Sequence, residues 1–126
     1  VVTAFLDSVV LIDLLRSHPP AVAWLGAQRA ALALMPAVWL EVLYGVSNAR
    51  ERERALKLLQ RFERVDFLSG DFDWAIDQAI RFRLSHSVDP MDCLIASVAF
   101  RLKKPLYTHN VKHFAPMLGP LVQKPY

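Results

Sequence analysis

The run Val2-Thr3-Ala4-Phe5-Leu6 is the strongest constraint on what this chain can fold into. Five mostly apolar residues in succession suit a strand buried on both faces, and Asp7 and Ser8 stop the run. A helical pattern follows at once. Val9, Leu11, Ile12, Leu14 and Leu15 are apolar between Ser8 and Arg16, and His18-Pro19-Pro20 closes the segment. A strand running straight into a helix is the opening of a βα unit, and such units build parallel sheets covered by helices. In those sheets the carboxyl ends of the strands form the ligand crevice, which is where Asp7 would lie.

The same alternation continues along the chain. Pro20 suits the first turn of a second helix through about Ala31, Leu32 to Met35 reads as a second strand, and Pro36 opens a helix reaching about Asn48. A charged helix from Arg50 to Phe62, a strand from Val65 to Leu68 and a long helix from Asp71 to about Ser85 come next. Asp89-Pro90-Met91-Asp92 has the form of a helix start, with an N-cap acid, proline at the first position and an acid at the third. That helix runs to about Lys103. Leu106 to Thr108 reads as a fourth strand, His109 to Phe114 as a turn or short helix, and Leu121 to Gln123 as a weak fifth strand. The expectation is an α/β three-layer sandwich around a mostly parallel sheet of about five strands, with residues 1–126 as a single domain.

Composition narrows the function. The longest apolar segment, Met35 to Val46, is interrupted by Glu41 and falls short of the roughly 20 residues of a bilayer crossing, so no membrane association is expected. One cysteine cannot form an internal disulfide, and the first residues lack a secretory pattern, so a cytoplasmic location is expected. A net charge of +3 with a pI near 9.3 fits a polyanionic partner without requiring one. The basic residues between Arg50 and Arg64 read first as a solvated helix face, with pairs such as Glu53 and Lys57 at i,i+4. The scattered glycines form no phosphate loop.

Three acids interrupt apolar surroundings: Asp7 ends a buried strand, Glu41 is the sole charge between Pro36 and Asn48, and Asp92 opens a helix rich in Leu94, Ile95, Val98 and Ala99. Singly, Asp7 reads as a helix cap, Glu41 as a solvent-facing charge and Asp92 as part of a capping box. Glu41, however, shares its helix face with small and apolar residues, and Asp92 shares its own with Ala96 and Ala99. Carboxylates gathered in a half-buried cleft repel one another unless a cation joins them, and Mg²⁺ or Mn²⁺ is the hard ion that prefers such oxygens. The chemistry that follows is that of phosphoryl or phosphodiester groups.

The segments Leu6 to Leu15, Glu41-Val-Leu-Tyr-Gly45, Asp92-Cys-Leu-Ile-Ala-Ser97 and Tyr107-Thr-His-Asn-Val-Lys-His-Phe114 together resemble the ordered motifs of PIN-domain nucleases, with VapC-type toxins the most similar group. The resemblance spans essentially the whole chain. It implies a metal-dependent endoribonuclease in which Asp7, Glu41 and Asp92 bind Mg²⁺ or Mn²⁺, Asn110 joins them in catalysis, and Ser8, Thr108 and Asn110 contact substrate. It also implies an RNA substrate (tRNA, rRNA or mRNA), a small antitoxin that masks the site, and a homodimer. The apolar helix from Pro36 to Val46, with Trp39 and Leu43 beyond what one core needs, is the expected dimer or antitoxin surface. The fourth motif departs from the family: Asn110 stands where many members carry an acid, and His113 where VapC-like members have Asp. Asn110 adds no negative charge. The alternative is therefore a catalytically weak or inactive PIN module that binds RNA or a protein partner. His113 reads either as a substrate-facing group or as a surface turn residue.

Overall fold

The computed structural model describes residues 1–126. Strand β1 (Ala4–Leu6) lies at the centre of a five-stranded sheet, between β2 (Leu32–Leu34) and β4 (Leu106–Tyr107). Strands β3 (Glu63–Arg64) and β5 (Val122–Gln123) form the edges, and every pairing is parallel. Parallel neighbours require crossovers, and helices supply them. Helices α1 (Ser8–Leu15) and α2 (Pro19–Ala27) join β1 to β2, and α3 (Pro36–Tyr44) and α4 (Ala49–Leu59) join β2 to β3. Helices α5 (Ser69–His86) and α6 (Pro90–Leu102) return the chain to β4, and α7 (Val111–Leu118) leads to β5 through a 3₁₀ turn at Gly119–Leu121.

The strand order 3-2-1-4-5 means that the chain winds outward from β1, then crosses back to wind the other way. Right-handed crossovers place α1 to α4 on one face and α5 to α7 on the other. Between β1 and β4 lies the switch point, where a crevice opens at the strands' carboxyl ends. Register brings Phe5 beside Leu106 and Leu6 beside Tyr107, so the residues that follow, Asp7 and Thr108, emerge together.

The sequence explains the interior. All residues of β1 and β2 are buried, as their unbroken apolar runs require. Phe5, Leu6, Leu34, Ile95, Leu106 and Phe114 are fully enclosed, each stabilising the fold by about 1.5–3 kcal/mol relative to exposure. Proline starts α2, α3 and α6, where its missing N–H costs nothing. Asp71 is buried and accepts from Leu68 N–H at 2.8 Å and from Arg101 Nε at 2.8 Å, tying α5 to α6.

Several expected elements shift. The third strand is Glu63–Arg64, not Val65 to Leu68, because an edge strand pairs through its backbone and leaves its side chains in water; Val65 merely adds one N–H bond to Leu34 O. The second helix stops at Ala27 instead of Ala31, and the last helix runs on through Pro116 to Leu118. Glu53 and Lys57 form no ion pair; Arg54 instead donates to Leu15 O at 2.9 Å, and Glu51 accepts from Ser47 N–H at 2.8 Å. On α3, Trp39 and Leu43 pack against the core, while Leu40 and Tyr44 are the exposed residues. No helix is long and apolar enough to cross a membrane.

Candidate functional site

Asp7 is a helix cap with a second set of contacts. Its Oδ1 accepts from the backbone N–H of Ser8 at 2.8 Å, closing the first turn of α1, and its Oδ2 accepts from Thr108 Oγ1 at 2.6 Å. Thr108 is wholly buried at the end of β4, and its hydroxyl in turn accepts from the backbone N–H of Asn110 at 2.9 Å. One side chain therefore locks the two central strands and the start of α7 to the Asp7 carboxylate. Ser8, one residue further into α1, donates its hydroxyl to Glu41 Oε1 at 2.9 Å, drawing α3 to the same point.

The third acid arrives on α6. Asp92 caps reciprocally with Asp89: its N–H donates to Asp89 Oδ1 at 2.8 Å, and its Oδ2 accepts from the Asp89 N–H at 3.3 Å. The same Oδ2 lies 3.3 Å from His113 Nδ1 on the first turn of α7. His113 thus lies beside Asp92, whereas the His109 ring packs edge-on against Tyr126 with ring centroids 4.5 Å apart.

Burial pushes the Asp7 carboxyl above the usual carboxylate range; its bonds from Thr108 and Ser8 oppose the shift, and Asp89 adds to it. Glu41 is raised by burial and by the charges of Asp7, Asp89 and Asp92, against the Ser8 bond. Asp92 is raised by burial first, with Asp89 and Asp7 adding, while the Asp89 backbone bond and His113 act against it. None of these acids has a lysine or arginine partner. A set of hard oxygen donors that repel one another is the donor chemistry of a site for a divalent cation. No three acidic, His or Cys side chains are already drawn to ion-holding distance, so water or substrate oxygens would complete any coordination.

Of the residues expected from the sequence, Asp7, Ser8, Glu41 and Thr108 form one hydrogen-bonded chain, and Asp92 is coupled to it by charge. Asn110 touches this chain through its backbone alone; its residue is exposed and its side chain caps nothing. Asp89 was legible only as a cap, yet its charge acts on all three acids. The signal for it was present: two acids three residues apart in one first turn flank the same cleft.

Sheet order and side-chain contacts together define a doubly wound α/β domain with Asp7, Glu41 and Asp92 gathered at its switch point. A more specific statement comes from family comparison: the PIN domain model matches residues 4–114, and the chain belongs to the PIN-domain family. PIN domains are nucleases, so hydrolysis of nucleic acid is the class of chemistry this membership supports. Among solved structures, a toxin-antitoxin complex from Klebsiella pneumoniae contains a chain 25% identical, with a TM-score of 0.76 and 98% of each chain covered. DNA-bound VapBC from Salmonella typhimurium matches at 18% identity and a TM-score of 0.80, covering 98% of both chains. VapBC2 from Rickettsia felis, bound to a promoter DNA fragment, matches at 24% identity and a TM-score of 0.72, covering 97% of this chain and 98% of that one. At these identities the last two speak to the fold alone. The comparison with curated proteins gives no match.

Proposed function

We propose that this protein is a metal-dependent endoribonuclease acting as the toxin of a toxin-antitoxin pair, with Asp7, Asp92 and Glu41 holding Mg²⁺ or Mn²⁺. The observation that carries the reading is the gathering of Asp7, Glu41 and Asp92, tied in through Ser8, Thr108 and His113, with no lysine or arginine beside them. The ion would neutralise that charge, polarise a phosphate oxygen and lower the pKa of a water nucleophile. The chain's own residues do the positioning. Thr108 fixes Asp7, and Ser8 orients Glu41. His113, with its side chain 45% exposed and Nδ1 3.3 Å from Asp92 Oδ2, would contact the strand beside that acid. Tyr44, 89% exposed and one turn beyond Glu41, offers a ring on which an unpaired base stacks.

The antitoxin of this reading has a place to bind. A cleft of about 400 Å³ between α1, α3 and α4 lies away from the acids, with Ile12, Leu15, Val42 and Val46 as its apolar floor and Arg16, Glu51 and Arg54 at its polar rim. A second hollow of about 350 Å³ joins Leu40, Tyr44 and Met91 to Glu41, so a segment leaving the first cleft could cover the acids. The likeness to a chain of the Klebsiella pneumoniae toxin-antitoxin complex supports this partner, and the reading includes a homodimer.

The test is cleavage of structured RNA with and without Mg²⁺ or Mn²⁺ by wild type, Asp7→Asn and Asp92→Asn. Metal-dependent cutting by wild type and its loss in both variants is expected; equal cutting by all three overturns the reading. A second reading, a non-cleaving module that binds RNA or protein, is favoured by the unengaged Asn110 side chain. Undetectable Mn²⁺ binding by calorimetry at millimolar metal would select it.

A further inference from the structure

The carboxyl ends of β4 and β5 open onto a hollow distinct from the two already described. Its volume is about 350 Å³, and it is lined by Val9 and Asp13 of α1, His18 before α2, His109 after β4, and Lys124 and Tyr126 after β5. Chain connectivity sets it next to the acids. Val9 is two residues from Asp7, and His109 follows Thr108, whose hydroxyl holds Asp7. Consecutive Cα atoms lie about 3.8 Å apart, so the hollow begins within about 8 Å of the Asp7 backbone. Its size falls in the range of small-molecule sites, about 300–1,000 Å³.

The walls offer three kinds of contact. Flat ring surface comes from Tyr126, whose ring centroid lies 6.0 Å from that of His18 and 4.5 Å from that of His109. Positive charge comes from Lys124, which is exposed and pairs with no acid of the chain. Hydrogen-bonding capacity comes from Asp13 and His109. The Tyr126 hydroxyl donates to Asp13 Oδ2, and burial, followed by the bond and charge of Asp13, raises that hydroxyl above its usual range. Tyr126 therefore stays a donor, and the second oxygen of Asp13 is left to accept from elsewhere. His109 Nε2 is enclosed without a partner within the chain, a state that folded proteins rarely leave unmet.

No simpler ligand uses all three. An inorganic anion would take Lys124 and be repelled by Asp13, and a basic peptide would take Asp13 and be repelled by Lys124. A nucleotide carries an anionic phosphate, a flat ring and N–H groups at once. We propose that the hollow binds one nucleotide, with its base against the Tyr126 and His18 rings, a base N–H on Asp13 and its phosphate on Lys124. The site itself is independent of nuclease activity; that its nucleotide belongs to an RNA strand crossing the acids rests on the proposed function. On such a strand the hollow holds a neighbour of the nucleotide at Asp7. Bases differ in the number and place of their N–H groups, so Asp13 reads sequence beside the cut.

The experiment is calorimetry on the full, chelator-treated chain with AMP, GMP, CMP, UMP and inorganic phosphate as probes, beside thermal melts that show each variant to be folded. At least one nucleotide should bind, and at least about tenfold more tightly than phosphate. Lys124→Glu and His18→Ala, both at exposed positions, should weaken it by about tenfold and about threefold. Lys57→Glu, an equal change of charge on α4, should not. A wild type that binds no nucleotide better than phosphate overturns the site and leaves the nuclease reading standing, and so does binding that survives both Lys124→Glu and His18→Ala. With Mg²⁺ added, Lys124→Glu should raise KM for cleavage of structured RNA by about tenfold. An unmoved KM overturns the strand as the source and assigns the hollow to a free nucleotide. RNA left uncut by wild type overturns the nuclease, while nucleotide binding in chelator stands by itself.

Discussion

The Ser8 hydroxyl stands 2.9 Å from Glu41 Oε1, while the Ser8 backbone N–H holds Asp7 Oδ1 at 2.8 Å. A single residue thus connects two acids that are far apart in the chain. Its backbone serves the buried acid, and its hydroxyl serves the half-buried one while lying 3.5 Å from Asp7 Oδ1. Ser8→Ala removes the second bond and keeps the first. If the acids act as proposed, kcat/KM for RNA cleavage falls by about tenfold, the worth of one hydrogen bond to a charged group, with little change in melting temperature. Steady-state kinetics beside a thermal melt checks this.

Removing the Asp7 charge should stabilise the metal-free protein. The carboxyls of Asp7, Glu41 and Asp92 are raised by folding, so the folded state binds their protons more tightly than the unfolded chain does. Stability therefore falls as pH rises from the ordinary carboxylate range, about 4, through the raised values, and the deficit persists at neutral pH. Asp7→Asn keeps an oxygen for the Ser8 N–H, turns an NH2 toward Thr108 Oγ1 in place of the second oxygen, and loses the charge. Chelator-treated Asp7→Asn should unfold at higher urea than wild type at pH 7, and the gap should close as the pH approaches 4. Added Mg²⁺ should favour wild type instead, by about 2.7 kcal/mol at 100 times its Kd.

Tyr44 carries no burden in the core, being 89% exposed, so its replacement isolates a surface role. Loss of a stacking ring costs about 1–3 kcal/mol per base. Tyr44→Ala is expected to raise KM for RNA by about tenfold, to leave kcat within a small factor, and to leave the urea midpoint in place. A fluorescence-based cleavage assay over a range of RNA concentrations separates the two constants.

The Asp71 to Arg101 pair joins α5 to α6 outside the cleft, with Asp71 only 3% exposed. Arg101→Leu strands a buried carboxylate beside the Leu68 N–H. It should lower stability by about 2–3 kcal/mol, read as a shift in the urea midpoint at constant slope, without altering metal affinity.

Asp7, Glu41 and Asp92 were readable in the chain because each is a charge where packing calls for an apolar residue. Asp89 was readable only as a helix cap and His113 only as one of two alternatives, since both have ordinary local explanations; the convergence of α6 and α7 sets both beside Asp92. The edge strand Glu63–Arg64 was hidden for a related reason. Its two residues are polar and exposed, and they belong to the sheet solely through backbone bonds to β2.

Local chemistry was enough to specify the alternating α/β order, the proline-started helices, the capped start of α6 and the buried central strands, because each depends on neighbours a few residues apart. The sheet order, the alignment of Asp7 with Thr108 across 101 positions, the Ser8 to Glu41 bond and the hollow lined by Asp13, His109 and Lys124 are different in kind. They depend on which surfaces remain uncovered or come into register after the chain has crossed back over itself. Only packing among distant segments resolves that, because a side chain's periodicity states which face of its helix is apolar and leaves open what that face will meet.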